Sequence, residues 1–111
     1  EQQAARRQAI QDAYHAAAGP PMKICDFSTR LLALALRAAE EGTPSAASDA
    51  GVAGLLASTA LEGAALNVRI NLGGLQDPAL RQTFRDRLEV FLSRGREAAA
   101  AVQRSVEGKL A

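Results

Sequence analysis

The sequence predicts an all-α fold: an antiparallel bundle of about four helices organised around one long central helix of small residues. Three observations carry this expectation. Apolar residues recur at helical spacing along most of the chain, and no stretch alternates apolar and polar residues as a half-buried strand does. Helix breakers gather in three places: Gly19-Pro20-Pro21, Gly42-Thr43-Pro44-Ser45, and Gly73-Gly74 ahead of Asp77-Pro78. Alanine dominates the 48% apolar fraction, aromatics make up 4% and tryptophan is absent, which suits close helix packing around a thin core.

Residues 2 to 17 carry good helix formers. Ile10, Ala13, Tyr14 and Ala17 share one face, with Arg6, Arg7 and Gln11 on others. Gly19, Pro20 and Pro21 predict a stop and a sharp turn, because proline lacks an amide donor and restricts the residue before it. A second helix follows from Met22 to Glu41. Its positions Ile24, Phe27, Leu31, Leu34, Ala35 and Ala38 form one apolar stripe and Cys25, Leu32 and Leu36 a second, so burial on more than one side is expected. A short connection leads to the central helix, and neighbouring helices joined this closely pack antiparallel.

The central helix is expected over Ser48 to Leu72. The Ser48 oxygen can accept from the free amides of the first turn, and Asp49 places a negative charge at the positive end of the helix dipole. Gly51, Gly54 and Gly63 would each cost an isolated helix about 1 kcal/mol relative to alanine, so packing must hold it. Gly73 and Gly74 end it. Asp77 then supplies an N-cap acceptor and Pro78 the first position of the last helix. That helix repeats Leu80, Phe84, Leu88, Phe91, Gly95, Ala98, Val102 and Val106 on a split period of seven, the pattern of packing along a groove, with arginines on its other faces.

A chain of 111 residues makes a single domain, residues 1–111, that buries about two-thirds of its extended surface. Thirteen basic against twelve acidic side chains give a net charge of +1, which argues against a nucleic-acid partner or an anionic membrane surface. The lone Cys25 can form no internal disulfide and no cysteine–histidine set has metal-ligand spacing, pointing to a reducing compartment and no metal site. The apolar run from Ala50 to Leu61 is too short to span a bilayer before Glu62 interrupts it.

The segments SDAGVAGLL (48–56) and LEGAALNVRINL (61–72), with AIQDAYHAAAGPPMKI (9–24) upstream, resemble the cyclodeaminase and methenyltetrahydrofolate cyclohydrolase family, which includes the deaminase domain of formiminotransferase-cyclodeaminase. The resemblance implies an all-helical, dimeric, cytoplasmic enzyme of one-carbon metabolism. Its ligand would be a tetrahydrofolate derivative, with no further cofactor. The family's glycine-rich N-terminal portion has no counterpart here, so the chain corresponds to a C-terminal half, in keeping with a first residue, Glu1, that is not methionine.

Both family reactions are proton-transfer problems at an amidine-like carbon. In cyclodeamination a folate nitrogen attacks the formimino carbon and ammonia leaves; in cyclohydrolysis water adds to the methenyl carbon. Each needs a base for the nucleophile, a donor to the leaving nitrogen and polar groups that hold the pterin. Asp49 is the candidate catalytic carboxylate, with Ser48, Asn67 and Asn71 as candidate substrate ligands and Arg69 facing the folate glutamate tail. Each also has a structural reading: a dipole charge for Asp49, interhelical amide bonds for the asparagines, a solvated surface charge for Arg69. Glu62 is expected in solvent, His15 at a helix end bonding terminal carbonyls, and Cys25 as a small core residue. The rival to an enzyme is a non-catalytic helical assembly or ligand-binding module that lacks the glycine-rich half.

Overall fold

The computed structural model describes residues 1–110, and helices account for nearly all of them. Helix α1 spans Gln2–Glu41, a 3-10 turn spans Pro44–Ala46, α2 spans Ala47–Gly74 and α3 spans Pro78–Leu110. Three long helices therefore stand where about four were expected. The difference lies at Gly19-Pro20-Pro21, which sits inside α1 without ending it. The fixed φ of proline is itself helical; what proline removes is a donor. Pro20 and Pro21 deprive the Ala16 and Ala17 carbonyls of their partners one turn on. The Asn71 side chain, reaching across from α2, donates Nδ2 to the Ala17 carbonyl at 3.4 Å.

Cross-helix contacts fix the directions. Near its start α1 meets the end of α2, where Gln11 Nε2 donates to the Gly74 carbonyl at 3.0 Å and Gln11 Oε1 accepts from the Gln76 amide at 2.8 Å. Farther along, Cys25 faces the Leu61 carbonyl. α2 and α3 are paired by Gly54 with Val102 and by Glu62 with Arg96. α1 and α3 run the same way, with Thr29 Oγ1 bonding to the Phe91 carbonyl at 3.3 Å and Lys109 reaching the Ala39 and Glu40 carbonyls at the end of α1. The body is long and slender, 66 × 19 × 16 Å.

The main core gathers Met22, Cys25, Leu32, Leu61, Val68, Phe84, Leu88 and Leu92, and a smaller cluster of Ala35, Ala39, Ala50, Val102 and Val106 fills the far end. Glycines set the helix separation there. A Cβ on Gly54 would stand 2.9 Å from Val102 Cγ1, and one on Gly95 would overlap the buried Leu61 side chain. Gly74 closes α2 for a similar reason, since a Cβ would enter the Tyr14 ring.

The starts of the helices divide. Asp77 caps α3 as expected, its Oδ1 accepting from the Ala79 amide at 3.0 Å and the Leu80 amide at 3.3 Å. Ser48 does not cap α2. The 3-10 turn opened by Pro44 runs straight into the helix, so the boundary residue is Ala46, without a side-chain cap, and Ser48 lies inside the first turn.

On α1 the second stripe is covered, with Cys25 and Leu32 buried and Leu36 half-buried, whereas the first is bare at Ile24, Phe27, Leu31 and Leu34, Phe27 by 63%, and of its members only Ala35 is buried. α2 lies over only one of the two stripes. The outer face of α2 is equally bare, with Val52, Leu55, Leu56, Leu66 and Ile70 all exposed. By length and composition the stretch Pro44–Gly74 that contains α2 is also apolar enough to cross a bilayer, a property shared by core helices of soluble proteins. The Ala50–Leu61 run alone understates it, because Glu62 interrupts neither helix nor packing; Arg96 pairs with it.

Candidate functional site

Asp49 and Ser48 sit exposed in the first turn of α2. Asn67, Arg69 and Asn71 lie on the last turns of the same helix. At about 1.5 Å per residue, the eighteen residues from Asp49 to Asn67 span roughly 27 Å. One chain therefore does not bring the carboxylate and the two asparagines together around one reacting carbon.

Asn71 is committed to the fold. Its Nδ2 donates to the Ala17 carbonyl and, at 2.9 Å, to the Asn67 carbonyl, which engages both amide protons and leaves only Oδ1 for another partner. Asn67 has an exposed side chain. Arg69 lines a groove of about 390 Å³ with Leu72, Gly73, Arg85, Leu88 and Glu89. Arg85 is the addition the structure makes. Helical spacing places it on a solvated arginine face of α3, and only the α2–α3 crossing reveals that it shares a groove with Arg69. Two guanidiniums beside one carboxylate favour an anion there.

Three further titratable residues find definite places. Glu62, expected in solvent, accepts from Arg96 Nε at 2.9 Å and Nη2 at 2.7 Å. That forked bond holds the Glu62 carboxyl below its ordinary range despite some desolvation. Cys25 is fully buried, and burial, then the nearby Glu62 charge, pushes its thiol up, so it is a core side chain and a poor nucleophile. His15 is not at a helix end, because α1 continues past it; its ring stands edge-on to Phe84 with centroids 5.6 Å apart.

The family model described as formiminotransferase-cyclodeaminase matches residues 1–90. A methenyltetrahydrofolate cyclohydrolase of Methylorubrum extorquens is 39% identical over 107 residues, covering 96% of this chain. The chain spans about half the length of that curated relative, 50%. The matched region takes in α1, with its proline pair, and all of α2, with the Asn67–Asn71 turn. With most of the chain matched in both comparisons, it belongs to the formiminotransferase-cyclodeaminase family.

Proposed function

We propose that this chain is the C-terminal half of the catalytic unit of a cytoplasmic folate one-carbon enzyme, acting on methenyl- or formiminotetrahydrofolate by acid–base chemistry and needing no cofactor beyond the folate. The observation that carries this reading is the 39% identity, along nearly the whole chain, to a relative named as a methenyltetrahydrofolate cyclohydrolase. That name favours the hydrolytic branch. Asp49 is the base or proton carrier, Ser48 and Asn67 are polar ligands, and Arg69 with Arg85 receives the anionic tail of the substrate.

The separation of roughly 27 Å between Asp49 and Asn67 calls for a second layer of helices, and the bare apolar face of α2 supports a homodimer. Antiparallel packing of two α2 helices about Thr59 would set Val52 against Leu66 of the partner subunit and Leu55 against Gly63 of the partner subunit. The same register opposes Asp49 to Arg69 of the partner subunit, so opposite charges meet and the dispersed site residues converge.

The test measures methenyltetrahydrofolate loss and ammonia release from formiminotetrahydrofolate side by side. Turnover of the first alone assigns hydrolysis; release of ammonia assigns deamination. Asp49→Asn should lower turnover by at least the roughly hundredfold typical of a lost general base, with an unchanged melting curve. Turnover near normal in that variant removes Asp49 from the chemistry.

A further inference from the structure

The bare stripe of α1 differs from the bare face of α2 in what borders it. Ile24, Phe27, Leu31 and Leu34 recur in steps of three and four residues, all of them exposed. That is the seam spacing of a helix that pairs with another helix, and the flanks of a seam decide which helix it takes. One flank is closed. Ser28 and Ala35, which follow Phe27 and Leu34, are buried on the side where Asn71 of α2 reaches α1. The other flank is open and basic: Lys23, Arg30 and Arg37 stand along it at intervals of seven, all exposed, with the Arg30 guanidinium 5.9 Å from the centre of the Phe27 ring. Lys23 has no ion pair among the described residues. Arg30 and Arg37 pair only with carboxylates one turn away on α1, Asp26 at 3.0 Å and Glu41 at 3.6 Å, and surface pairs of this kind exchange partners at little cost.

These flanks exclude the nearest occupants. A second α1 laid antiparallel on the stripe would set the basic row against the same row of the partner subunit, and like charges side by side oppose pairing. Laid parallel, it would meet the flank that α2 of the partner subunit already covers. No other bare apolar face among the described residues is edged by a row of carboxylates: that of α2 has Asp49 and Arg69 toward its ends, and Glu62 is held by Arg96 at 2.7 Å. The fitting helix therefore lies outside these residues. The chain spans 50% of the length of its cyclohydrolase relative, so as much polypeptide again stands beside it in a protein of that size.

We propose that the stripe of α1 seats an amphipathic helix from the half of the catalytic unit that this chain does not span, with its apolar residues on Phe27, Leu31 and Leu34 and a row of carboxylates along Lys23, Arg30 and Arg37. The proposal rests on the reading of this chain as one half of a folate enzyme. It gives the two bare faces different partners, α2 a second copy and α1 the other half.

The test co-expresses the full chain with a tagged polypeptide, the part of the Methylorubrum extorquens cyclohydrolase that the chain does not span, and reads co-purification and sedimentation separately from turnover. The two should co-purify in equal amounts. Phe27→Asp with Leu34→Asp, both at exposed positions, should abolish the complex and leave the melting curve of the chain alone unchanged. Arg30→Glu with Arg37→Glu should raise the Kd on the order of tenfold, from two charge pairs at about threefold each, and added salt should weaken the parent complex but not this variant. Val52→Glu with Leu66→Glu, on the α2 face, should leave co-purification intact. The proposal is overturned if the tagged half does not co-purify with the parent chain, if the aspartate variant still binds it, or if charge reversal leaves the affinity unchanged. It is overturned equally if the parent chain alone forms an oligomer that the aspartate variant dissolves, which would give the stripe to a second copy. A complex that turns over no folate leaves this surface standing and ends the folate reading. Turnover by this chain without the other half overturns the proposal and leaves the folate reading standing.

Discussion

Whether Asn71 mends the helix at Pro21 can be decided by a double-mutant cycle, and the magnitudes show why a single substitution would mislead. The bond to the Ala17 carbonyl is long, 3.4 Å, and Ala17 is exposed, so its net worth sits at the lower end of the usual range, about 0.5–1 kcal/mol. Alanine is a better helix former than asparagine by roughly 0.5 kcal/mol, which cancels much of the loss in Asn71→Ala. Pro21→Ala should stabilise the chain by about 2 kcal/mol, the helix-interior penalty of about 3 less the rigidity that proline gives the unfolded chain. In the Pro21→Ala background the Ala17 carbonyl regains a backbone donor, and Asn71→Ala should then become stabilising. The expected coupling is about 0.5–1 kcal/mol, read from urea midpoints at constant slope. Equal effects of Asn71→Ala in both backgrounds, to within about 0.3 kcal/mol, would refute the repair and return the Asn71 amide to the list of free substrate ligands.

Three other outcomes follow from the geometry. Glu62 has a carboxyl held below its ordinary 4.5 by the forked bond to Arg96, so its contribution to stability is fully present above pH 4.5 and is lost as pH falls through the depressed value; Glu62→Gln should flatten that acid limb, and an unchanged limb in acid titration of the melt would contradict it. Gly95→Ala should lower stability by about 1 kcal/mol in chemical denaturation, since overpacking against Leu61 outweighs the gain in helix propensity, and a stabilised variant would mean that α2 and α3 separate easily. Val52→Glu with Leu66→Glu should shift the sedimentation coefficient from dimer to monomer and lower turnover with it, whereas a monomeric parent protein would rule out the α2 pairing.

Much of the fold was legible because local chemistry and tertiary packing agreed. Asp77 before Pro78 marks the start of α3 from sequence alone, and the sevenfold pattern from Phe84 to Val106 names most of the buried face, missing the fully buried Leu92 beside half-buried Phe91. Gly19-Pro20-Pro21 misleads because its local signal is a deficit of donors, and a deficit can be met from outside. Asn71, distant in sequence and on another helix, supplies one missing bond, and no local rule counts it. The two stripes of α1 were equally legible as apolar; only the position of α2 decides that Cys25 and Leu32 are covered while Phe27 and Leu34 are bare.

The site was less legible for a geometric reason. Helical periodicity reports the direction in which a side chain points, and by that measure Asp49, Asn67 and Arg69 are ordinary surface residues of one helix. It says nothing about what lies across a crossing, so Arg85 stays hidden until α3 is seen beside Arg69. Nor does it show that a straight helix holds its two ends about 27 Å apart. A folate reaction concentrated at one carbon cannot use both ends of one α2 at once. On the proposed function, with Asp49 and Asn67 both at work, either the two ends serve different parts of an extended substrate, or a second α2 runs the opposite way and closes the distance. The antiparallel register about Thr59 is the version that pairs opposite charges and fills the space at Gly63 with Leu55 of the partner subunit. An Asp49→Cys, Arg69→Cys chain that forms an intermolecular disulfide under mild oxidation would support it, while crosslinking no faster than with the second cysteine at exposed Ser93 would leave the extended-substrate arrangement standing.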